Sequence, residues 1–165
     1  IKNIKFDKGT KDFQPTNLEV TKININNTAD NIIPRVAEAT FNIRFNNKHS
    51  SSSLKKRMNK IFYKISKKNK SKFKIEYRVS GEAFLTKPNA TTFMIQKVIK
   101  KITKIKPKLS TSGGTSDLRF IKKISPGLEF GLVGKTMHKV DEAVPVKDLR
   151  KLTKIYQNIL QNFFK

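Results

Sequence analysis

The residues best suited to chemistry fall in two short stretches, Ser110–Phe120 and Thr136–Glu142. The first reads Ser-Thr-Ser-Gly-Gly-Thr-Ser-Asp-Leu-Arg-Phe, with Gly113 and Gly114 adjacent among small hydroxyl residues, just past Pro107. Such a loop bares main-chain N–H groups and short hydroxyls, which suits it to holding a carboxylate or a phosphate. The plainer alternative is that the paired glycines merely permit a tight turn. The second stretch carries His138, one of two histidines, with Asp141 and Glu142 beside it and Glu129 a little upstream. An imidazole among carboxylates suits metal binding, although a lone histidine is more often an ordinary surface or core residue. An anion cradle followed by such an imidazole points to metal-assisted hydrolysis. Spacing alone carries the reading no further.

The elements that must position these residues follow from periodicity. Leu18 to Ile25 alternates apolar and polar, which predicts a half-buried strand. Asn26 to Asn31 is turn chemistry, and a second alternating strand runs through Ala37, Ala39, Phe41, Ile43 and Phe45, with Asn42 and Arg44 on the opposite face. Ser50 to Ser53 offer N-caps for a helix over 54–68 with Leu54, Met58, Ile61, Phe62 and Ile65 on one stripe. Phe73, Ile75, Tyr77 and Val79 predict a third strand. Lys87-Pro88 marks a boundary, after which a helix runs from an Asn89 or Thr91 cap to about Lys104 and stops before Pro107. Leu118, Phe120 and Ile121 make a short apolar turn, Gly127–Val133 a strand, and Lys147–Phe164 a closing amphipathic helix. Residues 1–12 read as a frayed lead-in, and His49 as an exposed loop residue.

Taken as blocks, Leu109–Ile121, Glu129-Phe-Gly131 and Thr136-Met-His-Lys-Val-Asp-Glu142 resemble the C-terminal part of the succinyl-diaminopimelate desuccinylase family, within the dinuclear-zinc aminoacylase and carboxypeptidase superfamily. Asp30-Asn-Ile-Ile-Pro34 and Phe41-Asn-Ile-Arg-Phe45 resemble that superfamily's lid signatures, and Ser80–Thr86 its return to the catalytic domain. The resemblance implies part of an α+β lid (dimerisation) domain over residues 1–86. The C-terminal segment of a zinc-peptidase-like α/β catalytic domain follows over 87–165. It makes His138 a zinc ligand. The implied substrate contacts are Asn31 and Arg44 from the lid and Gly113, Gly114, Thr115 and Ser116 from the loop, with Gly114 and Thr115 at a carboxylate end. Guanidinium suits a carboxylate, which it binds in a bidentate pair; an exposed strand cation is the plainer reading of Arg44.

The family mounts two zinc ions per subunit, with cobalt an alternative, on a His-x-Asp pair, a bridging Asp and a Glu-Glu pair containing the general base. None of these has a counterpart in the 165 residues. The resemblance therefore implies the C-terminal part of a longer enzyme, inactive by itself, with no general base in this chain. The whole enzyme would be a cytoplasmic homodimer, joined through the lid. It would hydrolyse an N-acyl diamino acid to succinate and LL-diaminopimelate for lysine and peptidoglycan synthesis. Other N-acyl-amino-acid deacylases and carboxypeptidases of the superfamily, and a non-catalytic basic binding module, are the alternatives. Two departures stand out: Gly134 replaces a frequent Asn, and Arg35-Val36 replaces Gly-Glu or Asp-Glu after the lid proline.

Composition narrows the partners. The net charge is +24, yet only six of the 36 basic residues are Arg. Arg, not Lys, supplies the planar fork that reads phosphates and bases, and the lysines are scattered through every segment. Solvated lysine faces fit this better than a nucleic-acid site. No run approaches the roughly 18 apolar residues of a membrane helix, and no signal-peptide pattern occurs, so no membrane partner is expected. The absence of cysteine rules out thiolate ligands and fits an intracellular protein. Gly131-Leu-Val-Gly-Lys-Thr136 is not a P-loop, because that motif needs glycine where Glu129 stands.

Overall fold

The computed structural model describes residues 4–27, 29–112 and 117–165. The chain is a small mixed α/β structure in two compact units, residues 1–85 and 86–165.

In the first unit, strand β1 (Asn17–Asn24) pairs antiparallel with β2 (Glu38–Arg44), setting Leu18 opposite Ile43 and Val20 opposite Phe41. The register slips at Thr21, whose hydroxyl donates to the Thr40 carbonyl at 3.3 Å. Phe41 and Ile43 face inward while Asn42 and Arg44 are exposed, as the alternation predicts. Helix α1 (Ser51–Lys68) starts at a serine capping box: the Ser50 hydroxyl accepts the Ser53 N–H at 3.2 Å, and the Ser53 hydroxyl accepts the Ser50 N–H at 3.0 Å. The Glu82 carboxylate accepts the Ser51 N–H at 3.0 Å, placing negative charge at the positive end of the helix. Leu54 and Met58 are the buried members of its apolar stripe and meet Phe6 and Leu18, with Phe41, Phe62 and Tyr77 around them. Phe62 stacks on Phe41 with ring centres 6.1 Å apart, and meets Phe73 at 5.7 Å.

Two expectations for this unit are corrected. The segment 73–79 has Ile75 and Tyr77 half-buried and the exposed Lys74–Glu76 pair outward at 2.7 Å, but it forms no ladder; among the described residues the sheet has two strands. Period-two alternation reports which face meets the core, and here α1 satisfies that face without a strand partner. The described part of the lead-in, residues 4–12, is not frayed either. Phe6 is in the core, Arg57 donates to the Lys5 and Phe6 carbonyls, and its guanidinium lies 4.7 Å from the Phe6 ring centre. Gly9 has φ +82, and a Cβ there would stand 2.8 Å from the Phe13 carbonyl, so this loop requires glycine.

In the second unit, α2 (Ala90–Thr103) begins at Asn89, whose side chain accepts the Thr92 N–H at 3.0 Å while the Thr92 hydroxyl accepts the Asn89 N–H at 3.2 Å. It ends one turn before Pro107, at Lys104, in a left-handed cap. A short α3 (Leu118–Ile121) follows, then α4 (Val146–Phe163) after Pro145. Val98, Ile99 and Ile155 form the core between α2 and α4, with Phe130 packed against it. The expected strand 127–133 forms no ladder: Phe130 is anchored by its ring and by the Tyr156 hydroxyl donating to its carbonyl, contacts that need no neighbouring strand. No helix among the described residues is long and apolar enough to cross a membrane.

Candidate functional site

His138 sits in an exposed turn of the second unit, in the left-handed region at φ 64. The backbone gets there through a loop closed at its neck. The Thr136 hydroxyl accepts the Ala143 N–H at 3.0 Å and donates to the Ala143 carbonyl at 2.8 Å. Inside the loop the Lys139 N–H meets the Thr136 carbonyl at 3.0 Å, and Asp141 is also left-handed, at φ 60. The Glu142 carboxylate accepts the main-chain N–H of His138 at 3.2 Å, so it braces the loop rather than the ring. Glu129 is exposed on the segment before it. At Gly134 a Cβ would stand 3.1 Å from the Cβ of Met137, so the absence of a side chain there lets Met137 fold back over the turn.

The donor set tests a metal directly. The His138 ring is exposed, and no hydrogen bond engages it among the described residues, which suits one ligand. Among the same residues no three His, Cys, Asp or Glu side chains converge. A zinc centre needs about three protein ligands. The described residues thus offer such a centre one exposed imidazole and do not complete it by themselves.

The remaining sequence-derived candidates lie apart from this turn in the chain. Gly113, Gly114, Thr115 and Ser116 lie outside the described residues. Asn31 and Arg44 belong to the first unit and are both exposed. Arg44 ends β2 opposite Asn17, on the face away from the core. Asn31 sits in a turn organised by Asn27, whose side-chain amide donates to the carbonyls of Ala29 at 2.6 Å and Ile32 at 2.8 Å. No hydrogen bond joins Asn31 to Arg44 among the described residues.

One polar cluster escapes sequence reasoning. Asp7 accepts the Gly9 N–H at 2.6 Å, the Asn46 side-chain amide at 2.7 Å and the Thr16 N–H at 3.2 Å, and His49 Nε2 lies 3.0 Å from its second oxygen. Its side chain is 7 % exposed and that of His49 16 %, so His49 is not the exposed loop residue its polar neighbours suggest. Burial pushes the Asp7 carboxyl up, but hydrogen bonds from the Thr16 side chain, the Gly9 N–H, the Asn46 amide and the Thr16 N–H outweigh it and hold the group well below the carboxylate range. The signals available were the Asp-x-Gly turn and a polar Asn-x-x-His run, neither of which names its distant partner.

Comparison with known proteins gives this geometry a context. The profile of peptidase family M20/M25/M40 matches residues 2–162. A protein of Pelagibacter ubique (strain HTCC1062) named succinyl-diaminopimelate desuccinylase is 82% identical over 164 residues, covering 99% of this chain and 43% of the relative. Proteins of the same name from Rickettsia bellii (strain RML369-C) and Parvibaculum lavamentivorans are 45% and 46% identical, over 97% and 96% of this chain and 41% and 40% of their own lengths. The chain thus spans less than half the length of the curated relatives it matches. The resemblance drawn from the sequence motifs is borne out.

Proposed function

Because the chain belongs to peptidase family M20/M25/M40, a metallopeptidase family, we propose that it is the C-terminal part of a zinc-dependent succinyl-diaminopimelate desuccinylase. The whole enzyme hydrolyses N-succinyl-LL-2,6-diaminopimelate to succinate and LL-diaminopimelate, a step of lysine and peptidoglycan precursor synthesis. The observation that carries this reading is the 82% identity over nearly the whole chain to a relative of that name. In this reading residues 1–86 belong to a lid through which two subunits pair in the cytoplasm, and 87–165 close the catalytic domain. A compact-unit boundary between Leu85 and Thr86 supports that division.

His138 contributes one zinc ligand, and the bound metal supplies an activated water and stabilises developing negative charge. The chain's own groups hold the substrate. The Gly113–Ser116 loop offers N–H and hydroxyl donors to a carboxylate, and Asn31 and Arg44 reach the substrate from the lid.

The test is a chimera in which this chain replaces the matching segment of the Pelagibacter relative. Loaded with zinc, it is expected to release succinate from N-succinyl-LL-diaminopimelate, whereas the chain alone is expected to release none. A folded, zinc-loaded chimera with no turnover overturns the reading, and so does turnover by the isolated chain.

A further inference from the structure

The Thr136 hydroxyl bonds both main-chain groups of Ala143, donating to the carbonyl at 2.8 Å and accepting the N–H at 3.0 Å. One side chain thereby fastens both ends of the eight-residue turn 136–143. The residues within the turn are exposed, Val140 at 92 %. Apolar burial therefore does not fix this backbone. Yet His138 and Asp141 both occupy the left-handed region, which residues with a side chain seldom adopt unless their surroundings impose it. Among the described residues the turn is constrained by the Thr136 clasp, the Lys139-to-Thr136 turn and the Glu142 carboxylate on the His138 N–H.

We propose that Thr136 is a positioning residue for His138: its hydroxyl holds the turn in the conformation that presents the imidazole, so that the ring is aimed before any ligand arrives. The inference rests on the reading of His138 as a metal ligand. Its physical basis is preorganisation. A turn that must be ordered when the ligand binds loses affinity by the amount of that ordering, whereas a turn already closed does not. Outer groups that orient a metal-binding histidine are typically worth about 10–100-fold in affinity. Thr136 would act one step further back, through the main chain.

The experiment compares Thr136→Val, which keeps the shape and removes both hydrogen bonds, with Thr136→Ser, which keeps them. Amide hydrogen exchange at Ala143 and the Cα chemical shift of His138 are read in this chain. Zinc affinity is read in the chimera by competition with a chelator. The valine variant is expected to exchange at Ala143 at least about tenfold faster and to shift the His138 Cα signal away from its left-handed value. It is also expected to bind zinc about 10–100-fold more weakly at one site, with the melting temperature unchanged because the turn lies outside the core. Serine is expected to restore all three readouts. Unchanged exchange in the valine variant overturns the clasp. Faster exchange with unchanged zinc affinity overturns the positioning role. His138→Ala in the chimera separates the two levels: full zinc content there sinks the ligand reading itself, while the exchange data still judge the clasp.

Discussion

The Nε2 atom of His49 lies 3.0 Å from Oδ2 of Asp7, joining the start of the first unit to the turn between β2 and α1. The same carboxylate gathers Gly9, Thr16 and Asn46, so three stretches of the chain, 7–9, 16 and 46–49, meet at one buried charge. A carboxylate this enclosed is tolerated only because donors surround it.

Acid should therefore weaken the first unit. The folded-state carboxyl of Asp7 titrates below its ordinary value of 3.8. A depressed acid contributes stability that is fully present above the unfolded value and is lost as pH falls through the folded one. The contribution is thus intact at pH 6 and declines below about pH 4. Asp7→Ala should cost about 1.5–3 kcal/mol at pH 6, and the difference from the parent should shrink towards pH 2. Urea titrations at both pH values check this, and a difference independent of pH would mean that the charge is immaterial.

Met58 is fully enclosed, at 0 % exposure, between α1 and the sheet. Its truncation to Ala should cost about 2–5 kcal/mol, since the surrounding rings close only partly over the cavity. Ile65, predicted on the same stripe, is 42 % exposed, so Ile65→Ala should cost well under half of that. Equal losses in chemical denaturation would place the core elsewhere.

The helix starts were legible because caps are local. Ser50 with Ser53, and Asn89 with Thr92, announce α1 and α2 within three residues. The segments 73–79 and 127–133 misled for the opposite reason: apolar patterning marks what meets the core, but a ladder depends on a partner that the segment itself does not encode. Asp7 was illegible in the same way, since Asn46 and His49 lie 39 and 42 residues away. At the candidate site, His138 was visible as a motif. Its left-handed backbone was not, because that conformation depends on a hydroxyl meeting a main-chain group seven residues on.

The local character of those caps can be measured. Asn89→Ala removes the acceptor for the Thr92 N–H and should lower stability by about 0.5–2 kcal/mol. Asn89→Ser should recover most of it, because serine also accepts at this position. Thermal melts of the three proteins decide, and an alanine variant as stable as the parent would show that packing of α2 on α4 suffices to define the start.

Arg44 offers the sharpest test of the proposed lid. It is exposed at the end of β2, facing away from Phe41 and Ile43, so in the isolated chain Arg44→Ala should change stability by less than about 0.5 kcal/mol. Its worth, if any, lies in the substrate. A guanidinium that closes over a substrate carboxylate forms a bidentate, water-excluded pair, and losing it should cost about 2–5 kcal/mol in kcat/KM. A solvated cation contributes well under about 1 kcal/mol. Arg44→Lys separates charge from geometry, because lysine keeps the charge and loses the fork. In the chimera, both variants are expected to lose kcat/KM for N-succinyl-LL-diaminopimelate, alanine more than lysine, at unchanged zinc content and melting temperature. Parental kcat/KM in both would make Arg44 an ordinary strand cation and remove it from the substrate site.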